Sequence, residues 1–474
     1  SRNVASARSS AAERRRASVR SRKGASIAIE RVKSSLLRSG VTHCVAASMR
    51  KAVEGPAAPA DRARVVEAWP EGSGPRPQAP TRGDIMRTLS SRVLAHALFA
   101  VVASAVGLPL AGAQDIKLPP TLTLTAYDTG SSGFNMAIAV GKAFKDKHGT
   151  DVRVLPAGND VARLAPLRAN RAQASAMGIG AYFAQEGVYE FAAKEWGPQP
   201  LRVMLASTDC NAVSLGVAKD TGAKEVKDLK GKRVGIVVGS PALNQNAFAV
   251  LAFGGLTPAD VKLVEFSSYG AMWKGIVNNE VDAAIASTIS GQAKEAEASP
   301  RGLFYPATPS SDKAGWARVN KVAPYYTAHK ATCGPGLSAQ NPTELPSYPY
   351  PIFLAYANQP VDLVHGITKS MIVNYGAYKD GAPGASGLEL SRQNLTWVLP
   401  YHEGAVRAFR EAGVWKPEHE THNQRLLKRQ DTLAAAWAAF LRTNPPDDAA
   451  ALRKAWMTAR SDALKKAGLD PIFE

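Results

Sequence analysis

Two turns in this sequence carry residue types suited to holding an anion. DTGSSGFN (128–135) stands where an alternating, β-branched stretch gives way to a helical pattern, and GSPALNQN (239–246) repeats that design further along the chain. At such a junction the first main-chain N–H groups of the helix lack intrahelical partners and the helix dipole adds positive potential. Ser131 and Ser132 offer hydroxyls, Gly133 lets a ligand approach the backbone beside Phe134, and Asn135 adds an amide. In the second turn Gly239 and Ala242 offer backbone, Ser240 suits the N-cap and Pro241 suits the first helical position. Each turn taken alone also reads as an ordinary capped helix start. Two of them, one in each half, are what a ligand clamped between halves needs.

Other constellations are weaker. Gly158-Asn159-Asp160 offers a further amide, or simply an N-cap for the helical pattern that follows. No Gly-Lys-Ser/Thr follows Gly239, so the second turn is not a phosphate-cradling P-loop. His402-Glu403, and His419 and His422 standing three apart, lack a third ligand, which suits surface histidines at helix starts better than a metal site. The Tyr325-Tyr326 pair, Tyr348 and Tyr350 suit a pocket wall or a staple for a Pro-rich loop. Cys210 and Cys333 suit a disulfide in an oxidising compartment, the alternative being two buried free thiols. No Ser-His-Asp order, paired carboxylates or metal cluster stands out, so the expectation is a binding protein with no catalytic residues, no cofactor and no metal.

The elements that must position these residues alternate in type. Strand-like TLTLTAYDTG (121–130), helical MAIAVGKAFKDKHG (136–149), strand-like DVRVLPAG (151–158), a helix at 160–172 and a short apolar strand at 174–180 form one βαβ series. A second runs through 229–256, 261–268 and 270–287. Segments 201–207 and 212–219 read as a strand pair, 300–350 as loop with a possible crossover strand, and the chain from 360 onward as mostly helical, including 386–395. The fold class expected is α/β. In the tail, 418–467 reads as two helices with Trp437, Phe440 and Leu441 buried and Asp447 or Asp448 capping the second.

With 474 residues, 45% hydrophobic and 21% charged, the chain is neither disordered throughout nor fibrous. Its net charge of +18 is uneven: residues 1–85 carry +10 and residues 114–474 only +6. Residues 1–85 read as a disordered basic segment, rich in Arg, Ser, Ala and Pro, and as upstream translation. Residues 86–113 read as a signal peptide, with Met86-Arg87 and Arg92 before an apolar run and a small-residue site ending at Ala113. Export to the periplasm with cleavage near Ala113 follows, and a signal behind the basic arm argues against a nucleic-acid partner.

From about 121 to 417 the chain resembles the TAXI solute receptors, the extracytoplasmic binding subunits of one class of TRAP transporters. The residues carrying the resemblance are TAYDTGSSGFNMAIAVGKAF, VLPAGNDVARLAPLRANRAQASAMG, DLKGKRVGIVVGSPALNQNAFAVLAFGGL, NNEVDAAIAS and LPYHEGAVRAFREAGVW. It implies a two-lobed periplasmic-binding fold of the second type. The solute-binding domain would be 114–417, with lobe one about 114–210 plus part of 330–417, lobe two about 211–330, and 418–474 a helical C-terminal extension. The implied function is capture of a small organic anion, glutamate-like or another carboxylate, and its delivery to membrane permease subunits. The alternatives are an enzyme on the same fold or a receptor feeding a sensor kinase. Ser131, Ser132, Gly133 and Phe134 would hold the anionic group opposite Gly239, Ser240, Pro241 and Ala242. Asn135, Gly158 and Asn159 would orient the rest from the first lobe, and Asn244, Tyr269 and Thr288 would close on it from the second.

Overall fold

The computed structural model describes residues 116–473, so the expected basic segment and signal peptide lie outside the described residues. Two sheets organise the molecule. The first has the order β2-β1-β3-β11-β4 and the second β5-β8-β6-β7. In the first, β1 (Thr121–Ala126) runs parallel to β2 (Asp151–Pro156) and β3 (Ala174–Met177), and β11 (Ile352–Tyr356) lies antiparallel between β3 and β4 (Leu201–Ala206). In the second, β6 (Arg233–Val237) is parallel to β7 (Lys262–Phe266) and β8 (Ala283–Ser287), and β5 (Val213–Val217) is antiparallel to β8. Each sheet with its helices is one lobe, the two-lobed α/β architecture that the resemblance implies.

The chain crosses between lobes twice, after β4 and before β11. The crossings bond to each other: Tyr350 N–H donates to the Ser207 carbonyl at 2.7 Å and Ser207 N–H to the Pro351 carbonyl at 2.9 Å. The Cys210–Cys333 disulfide, joining residues 123 apart, fastens the first crossing to the chain beyond β9 (Thr327–Ala331).

This corrects the expected pairing of 201–207 with 212–219. These segments are β4 and β5, and they lie in different sheets. Both are buried on nearly every residue, so neither has the one-sided alternation that would reveal its neighbours. Segment 300–350 holds more structure than expected. It contains a helix at Lys313–Val322, started by the Asp312 side chain accepting the Gly315 N–H at 2.8 Å, and an antiparallel pair of β9 with β10 (Thr343–Ser347). At 386–395 the expected helix is two single 3-10 turns, Ala385–Leu388 and Leu390–Arg392.

Two helices close the chain, Pro417–Arg442 and Ala449–Lys466, and they pack on lobe one. Asp448 caps the second through the Ala451 N–H at 2.8 Å. The stripe Gln430, Leu433, Trp437 and Phe440 is buried, at the 3-4-3 spacing of one helical face. Leu441 stands one position off that face and is 38% exposed, which corrects its expected burial.

Candidate functional site

The first turn ends β1 and starts α1 (Ser132–His148). Ser131 caps that helix, its Oγ accepting the Phe134 N–H at 3.2 Å. Asn135 folds back on the turn, its amide donating to the Gly130 carbonyl at 3.3 Å. Ser132 and Gly133 are buried, and a Cβ on Gly133 would stand 3.3 Å from the Tyr350 hydroxyl. Burial raises the Tyr350 pKa to about 12, with the Arg163 charge first, and then Ser132 and the Gly133 main chain, holding it down. The Ser132 Oγ itself has no hydrogen bond of good geometry among the described residues. The N-terminus of α1 therefore faces a tyrosine oxygen.

The second turn lies between β6 and α4 (Pro241–Phe253); between α1 and α4 stand α2 (Asp160–Arg168) and α3 (Gly180–Glu186). Ser240 begins α4 without capping it through its own side chain. Its hydroxyl donates instead to Asp160 Oδ2 at 3.2 Å, and the Ala242 N–H donates to the same oxygen at 2.8 Å. A carboxylate of lobe one thus caps a helix of lobe two. The other Asp160 oxygen pairs with Arg163 at 2.8 Å and accepts from the Tyr127 hydroxyl at 3.3 Å. The Arg163 guanidinium lies 3.2 Å from the Tyr127 ring centroid, a cation–π contact in a buried setting.

Around these groups the lobes meet along a seam bonded directly from side to side. Gly270 N–H donates to Asp128 Oδ2 at 2.7 Å, Gly291 N–H to the Gly130 carbonyl at 3.0 Å, Tyr269 N–H to the Gly158 carbonyl at 3.1 Å and Val161 N–H to the Gly239 carbonyl at 3.3 Å. Asn159 caps α2 through the Ala162 N–H at 2.8 Å, and its side chain lies against Gly239. Gly158 presses on Ser268 of lobe two, where an added Cβ would come within 2.6 Å.

Most of the expected residues therefore come to one seam: Ser131 to Asn135, Gly158, Asn159, Gly239 to Ala242, and Tyr269, whose ring meets Tyr127 edge-on at 6.3 Å. Two do not. The Asn244 amide is consumed inside lobe two, accepting from Val237 N–H at 2.9 Å and donating to the Val237 carbonyl at 3.0 Å. Thr288 belongs to the crossings, its hydroxyl donating to the Cys333 carbonyl at 2.6 Å. The two histidines of the tail are likewise engaged, His419 accepting the Lys416 N–H at 3.1 Å and His422 bonding the Trp397 carbonyl at 2.7 Å.

Sequence reasoning missed Arg163 and Tyr127 at the centre of the seam, and took Asp160 only for part of a helix start. Asp160 and Arg163 stand three apart on one helix, a spacing that signals a surface ion pair more often than a core one. It also missed Gly178 and Gly180, where an added Cβ would come within 2.6 Å of the Tyr127 hydroxyl and 2.7 Å of the Asp160 carboxyl carbon. Tyr325, Tyr326, Tyr348 and Tyr350 are buried together behind the seam, with Tyr348 receiving the Ile179 N–H at 3.4 Å and the Asn246 amide at 3.3 Å.

The model of the NMT1-like family matches residues 125–413. Among solved structures, the chain is similar to the alkanesulfonate-binding protein SsuA of Xanthomonas axonopodis pv. citri bound to MOPS, at 15% identity over 68% of this chain and 94% of that one, with a TM-score of 0.36. It is also similar to the periplasmic aliphatic sulphonate binding protein SsuA of Escherichia coli, at 15% identity over 74% and 89%, TM-score 0.35. A third is PhnD1 of Prochlorococcus marinus in complex with methylphosphonate, at 13% identity over 63% and 100%, TM-score 0.36.

Proposed function

The chain belongs to the NMT1-like family, and from that premise we propose that it is a periplasmic solute receptor of the TAXI type. In this reading it is exported by a signal peptide cleaved near Ala113 and captures a small organic anion between its lobes. It performs no chemistry on that solute and hands it to the permease subunits of a TRAP-type transporter. The observation that supports the reading is the pairing of helix starts at one seam, each facing an oxygen of the chain itself. The Tyr350 hydroxyl lies against the start of α1, 3.3 Å from where a Cβ on Gly133 would stand, and the Asp160 carboxylate caps α4. When the lobes part, the Ala242 N–H loses its carboxylate, because Asp160 stays with lobe one. A ligand carboxylate is the chemical replacement for what is lost, and closure around it strengthens each bond by excluding water. The buried Ser132 hydroxyl, with no well-formed bond, is a further polar group for such a ligand.

Thermal unfolding in the presence of glutamate, 2-oxoglutarate and other small carboxylates tests this. The solute that fits raises stability by about 2.7 kcal/mol at a hundredfold excess over its dissociation constant. Ser132→Asp then weakens that solute by about tenfold or more, since a like charge set against it costs several kcal/mol. An unchanged dissociation constant in this variant means that the anion sits elsewhere.

A further inference from the structure

Away from the seam, a cavity of about 380 Å³ lies between β4 of lobe one and the long helix Pro417–Arg442. Its wall is unusual in charge and hydrogen bonding. Arg202, on β4, is half-buried; its Nη1 donates to the Leu201 carbonyl at 3.2 Å, and no carboxylate oxygen lies within 4.0 Å of it among the described residues. Asp431 attracts it only from beyond bonding distance. A cation held partly out of water without a counterion is costly, so such a group calls for an anion.

Two neighbours add donors. His402 is 2% exposed and caps the helix Glu403–Glu411, its Nδ1 accepting the Gly404 N–H at 3.1 Å. That bond assigns the ring proton to Nε2, which among the described residues has no hydrogen bond of good geometry, although the Gln359 main chain stands close. The Asn423 side-chain oxygen accepts the Tyr401 N–H at 2.8 Å, and among the described residues its amide nitrogen has no hydrogen-bond partner. The acids of the wall do not compensate. Glu420 is committed to Arg410, Trp415 and Gln424, each at 2.8 Å, and Glu403 is exposed at the rim.

We propose that this cavity is a second binding site, for a small oxyanion such as a carboxylate or an inorganic sulfate, held by the Arg202 guanidinium with the His402 and Asn423 N–H groups beside it. The bound anion spans β4 and the long helix. It therefore seats the C-terminal extension on lobe one, rather than being cargo for the seam. The site is independent of the seam reading and survives its failure.

The test titrates the chain with sodium acetate and, separately, sodium sulfate, holding ionic strength constant with chloride. The Arg202 Nε–H and His402 ring signals are followed by NMR alongside thermal unfolding. The expected result is a saturable shift of both signals, with the tighter of the two salts telling a carboxylate site from an inorganic one. Arg202→Gln weakens binding about tenfold or more, since a charge-assisted bidentate pair is lost, and Ser132→Asp leaves it unchanged. Should Arg202→Gln not fold, Arg202→Lys keeps the charge, loses the fork and weakens binding severalfold. The proposal is overturned by absence of saturation up to about 50 mM, far weaker than a millimolar site. Affinity unchanged in both Arg202 variants, or a response abolished by Ser132→Asp, overturns it equally.

Discussion

The Asp160 carboxylate of lobe one takes the Ala242 main-chain N–H of lobe two at 2.8 Å. Its second oxygen holds Arg163, and both side chains are fully buried. One carboxylate thus neutralises a buried guanidinium in its own lobe and caps a helix in the other. Closure of the lobes and stability of the first lobe's interior depend on the same residue.

Replacing Asp160 with Ala should separate those two roles. Arg163 is left buried and unpaired, which costs about 3–5 kcal/mol. The seam loses its bonds to Ser240 and Ala242, so the lobes should also spend more time apart. Urea unfolding reads the first effect and small-angle scattering the second. A variant with the parent's midpoint and radius of gyration would show that the pair contributes neither.

Removal of the disulfide should destabilise the protein without changing its fold. In the chain-entropy view, a closure between Cys210 and Cys333, 123 residues apart, contributes ~4–5 kcal/mol. The Cys210Ser/Cys333Ser double variant should unfold at correspondingly lower urea, as should the parent under reductant. Labelling of Cys210 and Cys333 in the denatured, unreduced parent would contradict the pairing.

Acid should detach the C-terminal helices. Glu186 is fully buried between Arg429 at 2.7 Å and Arg460. Burial by itself raises its pKa, but the bonds and charges of the two arginines outweigh that and hold it below the ordinary glutamate value. For an acid shifted down, the stabilisation is complete above the unfolded pKa and is lost as pH falls through the folded one. Loss should therefore begin below about pH 4.3. Trp437 and Trp456, packed edge to face at 4.7 Å, report it by fluorescence. In Glu186→Gln the same change should occur already at neutral pH, with about 3–5 kcal/mol lost.

A second pH effect should come earlier. Burial, and then the Arg202 charge, push the His402 pKa down to about 4. Here the folded state resists the proton that the unfolded state accepts. Stability is full above the unfolded value and falls as pH drops from about 6.5 towards the folded pKa, by roughly 3 kcal/mol in all. His402→Asn keeps an oxygen to accept the Gly404 N–H and removes the titration. Its stability should fall less steeply over that interval than the parent's, the remainder coming from His148 and His329, whose pKa values burial also lowers; a slope equal to the parent's would assign the effect to another group.

Some of this molecule is written in short stretches of the chain. The βα junctions at 128–135 and 239–246 are legible because capping, proline placement and glycine conformation are local matters. The two βαβ series follow from periodicity, and the tail stripe through Trp437 and Phe440 from helical spacing. Leu441 shows the limit, since one residue's rotation of the stripe decides exposure. Partners are another matter. β4 and β5 are buried on nearly every residue, so their sequences carry no sign that one joins β11 and the other β8. Asp160 and Arg163 look like a surface pair until β1 and α4 close over them, and Asn244 looks available until β6 takes its amide. Local chemistry fixes which groups a segment offers. Only the packing of distant segments decides which of those groups another part of the chain already holds, because that depends on contacts far apart in sequence.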